Sequence, residues 1–164
     1  MTSTGRSEEP RTVTPPPELD LAAARKLLDA QPFSRLLGAR VTAFGDGGAT
    51  LEIDIREDLH QQNGFLHGGV LAYAADNALT FAAGAVLGPS VLTGGFSVQY
   101  LRPATGRTLR ARATVVHAGR RQAVTRCDLL TVTEDDEETL CAVAQGTVLP
   151  VTAALHEGTR STTT

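Results

Sequence analysis

Cysteine is scarce in this 164-residue chain, with Cys127 and Cys141 alone. The two lie too far apart for a CxxC motif and are too few for a disulfide scaffold, which fits a reducing compartment. Their expected role is small-residue packing, with a cross-strand disulfide as the lesser alternative. Metal-ligand spacing is missing too. His60, His67, His117 and His156 form no HxxxH or Cys/His cluster, so no metal site is expected. No GxSxG segment occurs, which argues against the serine nucleophile of the α/β-hydrolases. Positive charge is not in excess either. A net charge of −3 and a pI near 5.8 give no global attraction to nucleic acid or an anionic membrane, so an anionic ligand must be held by local arginines. Residues 1–17 lack the basic-then-apolar order of a secretion signal, and a cytoplasmic location is expected.

What remains is ordinary for one domain. The apolar fraction of 41% over this length supports one core. Residues 1–17 and 153–164 hold little to bury and are expected to be mobile tails around a domain at 18–152. From Glu18 to Gln31, Leu19, Ala23, Leu27 and Ala30 recur at helical spacing, and Pro32 is expected to stop that helix. The period then changes to two. Val41 and Ala43, a Gly45–Gly48 turn, then Leu51, Ile53 and Ile55 predict a hairpin. After a long apolar segment, strand patterns resume at Val91–Leu101, Arg107–His117, Gln122–Thr133 and Leu140–Leu149. Consecutive strands on short turns are expected to pair antiparallel, with the long helix across one face of the sheet.

That helix, Gly68 to Leu87, is apolar enough to raise the question of a membrane span, but Asp76 and Asn77 sit near its centre. A carboxylate there costs about 2.5–3.5 kcal/mol on insertion, so no membrane partner is expected. Nearly every position from Val70 to Val86 is apolar or small, which predicts burial on most sides. Its polar residues therefore need a reason. Asp76, Asn77 and Thr80 share a stripe, and a carboxylate there is costly unless hydrogen-bonded or functional. Gly68 and Gly69 open the helix without a β-carbon, so their N–H groups can approach a ligand where the helix dipole favours negative charge, the physics of an oxyanion hole. Distance makes a further demand. Asp76 lies eight residues after Gly68, about 12 Å along the axis at the helical rise, too far for both to reach one carbonyl. Two antiparallel helices in a two-fold dimer can bring Gly68 of one to Asp76 of the other, so an obligate homodimer with shared sites, able to pair further into a tetramer, is predicted.

The block Gln61-Gln-Asn63-Gly-Phe-Leu-His67-Gly68-Gly69, with Asp76 nine residues after the histidine, resembles the hotdog-fold acyl-CoA thioesterases of the phenylacetate-degradation (PaaI-like) group. The segment Thr93-Gly94-Gly-Phe-Ser-Val-Gln-Tyr100-Leu-Arg102-Pro103-Ala104 is similar to that family's strand leaving the helix, and the resemblance spans about Leu36 to Leu149. It implies an α+β hotdog fold, a long central helix wrapped by a curved antiparallel sheet, with sites at a dimer interface. It also implies that Asp76 is the catalytic carboxylate and that the Gly68 N–H polarises the thioester carbonyl. Gln61 then helps hold the thioester or water, and Thr80 orients water. The pattern is mixed. Aspartate is typical of the PaaI-like group, whereas glutamine at 61 is typical of relatives acting on aromatic or enterobactin- and menaquinone-pathway thioesters.

The reaction expected is hydrolysis of acyl-CoA to free acid and CoA, with no cofactor beyond the coenzyme A of the substrate. Asp76 would take a proton from water or attack directly to form an anhydride. His67 precedes the helix and is a candidate both for capping it and for donating to the carbonyl. Asn63, Gly69, Tyr73, Thr93 and Gly94 are further candidates for substrate contact. Phe65, Phe81 and Phe96 could join Tyr73 in an acyl pocket, though scattered aromatics more often serve a core. Arg102, Arg120 and Arg121 could grip the CoA phosphates, because guanidinium forks match phosphate oxygens, although any one is as readily surface charge. The rival readings are a hotdog-fold hydratase or dehydratase and a non-catalytic acyl-CoA-binding module.

Overall fold

The computed structural model describes residues 19–151, and the tails expected at 1–17 and 153–164 lie outside them. Helix α1 spans Leu21–Asp29 and starts where the Asp20 side chain accepts the Ala23 N–H at 2.8 Å. Proline 32 does more than end it. It occupies the first turn of a second helix, α2 at Pro32–Leu37, where the missing N–H is harmless, and Gly38 closes that helix at φ 69°.

The hairpin follows as β1 (Arg40–Gly45) and β2 (Gly48–Asp54), then helix α3 (Gly68–Leu87) and strands β3 (Val91–Tyr100), β4 (Thr108–Ala118), β5 (Ala123–Val132) and β6 (Glu138–Pro150). All pairings are antiparallel, in the order β1-β2-β4-β5-β6-β3. The expectation that consecutive strands pair fails at β3. It does not pair with β4, which joins β2, but lies at the far edge beside β6. A helix without a polar side must be covered broadly, and α3 touches all six strands because the sheet reaches it from both directions.

Helix α3 is the one helix among the described residues long and apolar enough to cross a membrane, yet here it is the core helix. Five of its buried residues, Ala74, Ala75, Ala78, Ala82 and Ala83, are small enough to let the sheet close on it. Leu79 is fully buried with Leu51, Ile53, Leu109 and Leu129 from the strands, and each such leucine or isoleucine contributes about 1.5–3 kcal/mol. Strand β6 meets β3 over Gly146, where a β-carbon would lie 2.9 Å from Phe96 Cβ. Both cysteines are free and buried, so the alternative of a disulfide is not realised. Burial pushes the Cys127 thiol up to about 12, and Cys141 Sγ donates to the Leu129 carbonyl at 3.2 Å.

Candidate active site

Residues 60–67 fold into a small closed loop before α3. His60 bridges Leu66, the Gln61 N–H donates to Phe65 O at 2.8 Å, and Gly64 turns the chain at φ 80°. The Asn63 N–H donates to Gln61 Oε1 at 2.7 Å. That contact commits the amide oxygen of Gln61 and leaves its Nε2 as the free donor, while Asn63 enters through its backbone.

His67 is the N-cap of α3. Its Nδ1 accepts the Gly69 N–H at 2.9 Å, which corrects the expectation that both glycines offer donors to a ligand. The Gly68 N–H has no acceptor among the described residues, and it stands at the positive end of a 20-residue helix. The Gly68 carbonyl accepts the Tyr100 hydroxyl at 2.9 Å, so an edge strand holds the next peptide, Gly68–Gly69, whose N–H His67 already takes. A cavity of about 320 Å³ opens here, lined by Gln61, Phe65, Gly68, Leu71, Tyr100 and Arg102 among others.

The carboxylate lies two turns further along α3. Asp76 Oδ1 accepts from Thr93 Oγ1 at 2.5 Å, and Thr80 Oγ1 lies 2.7 Å from Thr93 Oγ1 and 2.9 Å from the Asp76 carbonyl. The Thr93 proton is committed to the carboxylate, so Thr80 shares its own proton between Thr93 Oγ1 and that carbonyl. Asp76 Oδ2 has no partner among the described residues, yet no side-chain oxygen of a half-buried residue is both sealed and unpaired. Oδ2 therefore reaches open space. The plain expectation, hydrogen bonding of Asp76 and Thr80 to a neighbouring strand, is met at one carboxylate oxygen and leaves the other available.

Thr93 and Tyr100 are seven residues apart, which in a regular strand puts them on opposite faces. A bulge between Thr93 and Gly95 shifts the register, and both then face α3. The bulge carries Gly94, where a β-carbon would lie 3.2 Å from Leu149. Two glycines inside a strand pattern were the available signal for this bend. No sequence signal paired Thr93 with Asp76, and Tyr100 had no assigned role.

A second cavity, about 140 Å³, borders Thr80 and Asn77 and is separate from the one at Gly68. Tyr73 lines neither. Its hydroxyl donates to Ser34 Oγ at 2.6 Å and its ring meets Phe33 edge-on, so it ties α3 to α2; burial raises its phenol above the usual range. The arginines also divide. Arg102 lies by the Gly68 cavity, whereas Arg120 and Arg121 occupy the β4–β5 turn at the opposite end of the sheet, the end where Ala123, Val148 and Thr93 are aligned. None of the three has a carboxylate partner among the described residues, unlike Arg40, Arg56, Arg107, Arg110, Arg112 and Arg126.

Residues 63–138 match the model of the thioesterase superfamily. A Mycobacterium tuberculosis protein that carries an esterase name is 32% identical over 122 residues, 71% of this chain and 83% of that one. The chain belongs to the thioesterase superfamily. A thioesterase family protein of Silicibacter pomeroyi has the same fold as this thioesterase, with a TM-score of 0.74 and 32% identity over 78% of this chain and 95% of that one. A mutant of the phenylacetic acid degradation protein PaaI of Thermus thermophilus gives 0.65 and 30% identity over 74% and 100%. The 1,4-dihydroxy-2-naphthoyl-CoA hydrolase of Listeria monocytogenes is 25% identical over 64% of this chain and 85% of that one. This thioesterase thus has the hotdog architecture, a long helix wrapped by a six-stranded antiparallel sheet, and is PaaI-like.

Proposed function

We infer that this thioesterase hydrolyses acyl-CoA to free acid and CoA in the cytoplasm, at two sites shared across a homodimer that can pair further into a tetramer. The observation that carries this reading is the separation of the reacting groups. The Gly68 N–H and Asp76 Oδ2, both without a partner among the described residues, lie on one helix about 12 Å apart along its axis, and Asp76 does not line the cavity at Gly68. Antiparallel apposition of two such helices completes a site twice over.

In that site the Gly68 N–H stabilises the oxyanion, and the Gln61 Nε2 of the same protomer adds a second donor. Asp76 of the partner acts through Oδ2, either taking a proton from water or attacking the carbonyl to give an anhydride that water then opens. Thr93 and Thr80 fix the carboxylate. The thiolate leaves readily, so no strong general acid is required. Arg102, Arg120 and Arg121 are free to meet the phosphates of CoA, with Arg102 on the Gly68 side and the other two near the Thr93 end. No cofactor takes part.

The test is complementation. Gly68→Pro removes the N–H at a helix position where proline is tolerated, and His67, at φ −63° and ψ 134°, already has the extended backbone that precedes a proline. Loss of that donor lowers kcat by about 10²–10³, and Asp76→Asn lowers it by orders of magnitude. After the two inactive variants are mixed and exchanged, heterodimers regain part of the wild-type activity. Sites contained within one chain regain none.

A further inference from the structure

The polar stripe of α3 holds one residue without a task. Asp76 is the candidate carboxylate and Thr80 steadies Thr93, but Asn77 makes a single long contact, its Nδ2 donating to the Tyr73 carbonyl at 3.4 Å. Asparagine is a poor residue for a helix interior, because its short amide competes with the backbone. With Nδ2 turned inward, Oδ1 is an acceptor that has no partner among the described residues and is not sealed from solvent.

A donor in the matching state stands at the start of the helix. His67 Nδ1 accepts the Gly69 N–H at 2.9 Å, so the neutral ring carries its proton on Nε2. That Nε2–H has no acceptor among the described residues, and His67 is exposed. The two groups cannot meet within one chain. Ten positions separate them, about 15 Å along the axis.

The open side of α3 shows how they meet between chains. From Gly69 to Thr80 every residue is buried except Gly69, Ala72, Tyr73, Asp76, Asn77 and Thr80, which follow one another at helical spacing. A second α3 can approach only along this stripe, and Ala72 at its middle is small enough to let two helices close. In the antiparallel pair that brings Gly68 to Asp76, each residue faces one that lies as far before Ala72 as it lies after it. Asp76 and Gly68 are four positions from Ala72, and Asn77 and His67 are five. The imidazole also points to this side. It lies over Gly69, where a β-carbon would be 3.0 Å from Nδ1, and Gly69 belongs to the stripe.

We propose that Asn77 is a positioning residue that acts on the other chain: its Oδ1 accepts the Nε2–H of the partner's His67 at each of the two shared sites. The inference rests on the homodimer reading above. The contact completes a line of hydrogen bonds from Asn77 Oδ1 through the imidazole to the Gly69 N–H. The first turn of α3, which aims the Gly68 N–H, is then held by the same chain that supplies the carboxylate. Oxyanion donor and carboxylate are set against each other although they belong to different protomers.

NMR of the dimer labelled with 15N-histidine reads the bond directly. The wild type is expected to give a slowly exchanging Nε2–H signal for His67, and Asn77→Ala to lose it. His67→Asn keeps a side chain that caps a helix but has no Nε2–H. When labelled Asn77→Ala is exchanged with unlabelled His67→Asn, each heterodimer regains one intact pair and the signal returns; a contact within one chain regains none. In turnover, Asn77→Ala should lower kcat about three- to tenfold with KM nearly unchanged. In the His67→Asn background it should change kcat by less than about twofold. A signal missing from the wild type, persisting in Asn77→Ala or absent from the mixture overturns the contact, as do additive losses in kcat. A variant that is monomeric alone is judged by the mixture, and a wild type that is monomeric in ultracentrifugation overturns both readings. An enzyme that gives the signal on mixing yet releases no CoA keeps the contact and loses the hydrolase reading; one that releases CoA without the signal loses only the contact.

Discussion

Edge strand β1 is six residues long, packs against α1 and has its Val41 carbonyl capped by Arg25 Nε at 2.9 Å, whereas edge strand β3 runs ten residues with no strand beyond it among the described residues. The Arg40–Asp54 pair adds charge at β1. Strand β3 has no charged side chain, and Leu92 and Tyr100 on it are more than half exposed, as is Leu101 just after it. Free edges invite pairing, and short length, charge and covering are the usual defences. Among the described residues, one edge has all three and the other has none. Strand β3 also carries Thr93, which holds Asp76, and Tyr100, which bonds the Gly68 carbonyl. In the proposed homodimer, covering that edge with a second copy and assembling the two half-sites are a single event.

The sharpest way to break this contrast is to give β3 the character of β1. Ser97→Lys with Gln99→Lys should yield monomers in analytical ultracentrifugation and lower CoA release about 100-fold or more, because each site loses its oxyanion donors. Thr42→Lys on β1 should leave assembly and activity unchanged. A β3 variant that stays dimeric and active would remove the distinction between the edges.

A smaller effect is expected inside β3. Thr93→Val keeps the shape but removes the hydrogen bond to a charged oxygen, worth about 1.5–3 kcal/mol, so kcat should fall about tenfold or more while KM changes little. A kcat within twofold of wild type would reduce Thr93 to packing.

The smallest effect belongs to β1. The hydrogen bond from Arg40 holds the Asp54 carboxyl below its usual range, although both groups are largely in solvent. A depressed carboxyl stabilises the fold above its unfolded value near 3.9, and that contribution fades as pH falls through the folded value. Asp54→Asn should lower Tm at pH 7 by no more than about 2–4 °C, with the gap closing below about pH 4. A gap that persists at pH 2 would trace the effect to something other than the pair.

Much of this was legible in the chain. The two-residue period marked β1, β2 and the four later strands, and the apolar run with central polar residues marked α3, because alternation and helical spacing are local properties. Helix α2 was missed because Pro32 was read as a terminator, although proline starts a helix as readily as it ends one. The position of β3 was not legible. Which strand pairs with which depends on covering α3 from both sides, a contact between residues far apart in sequence. The site divides in the same way. Asp76 and Gly68 stood out by residue type and spacing and Gln61 through the family resemblance, while the bond from Thr93, the use of the Gly69 N–H by His67, and the division of the arginines between two ends of the sheet did not.

The sequence by itself determined the elements, the buried helix with a carboxylate at its centre, and the rise per residue that keeps Asp76 and Gly68 apart. Tertiary structure decided which donors and which acceptor stay free. Thr93 of β3 and the loop before α3 take up one oxygen of Asp76, the amide oxygen of Gln61 and the N–H of Gly69, and leave Oδ2, Nε2 and the Gly68 N–H without a partner among the described residues. Hydrogen bonds saturate by proximity in three dimensions, and a bulge that turns one threonine inward is enough to choose the oxygen left to react.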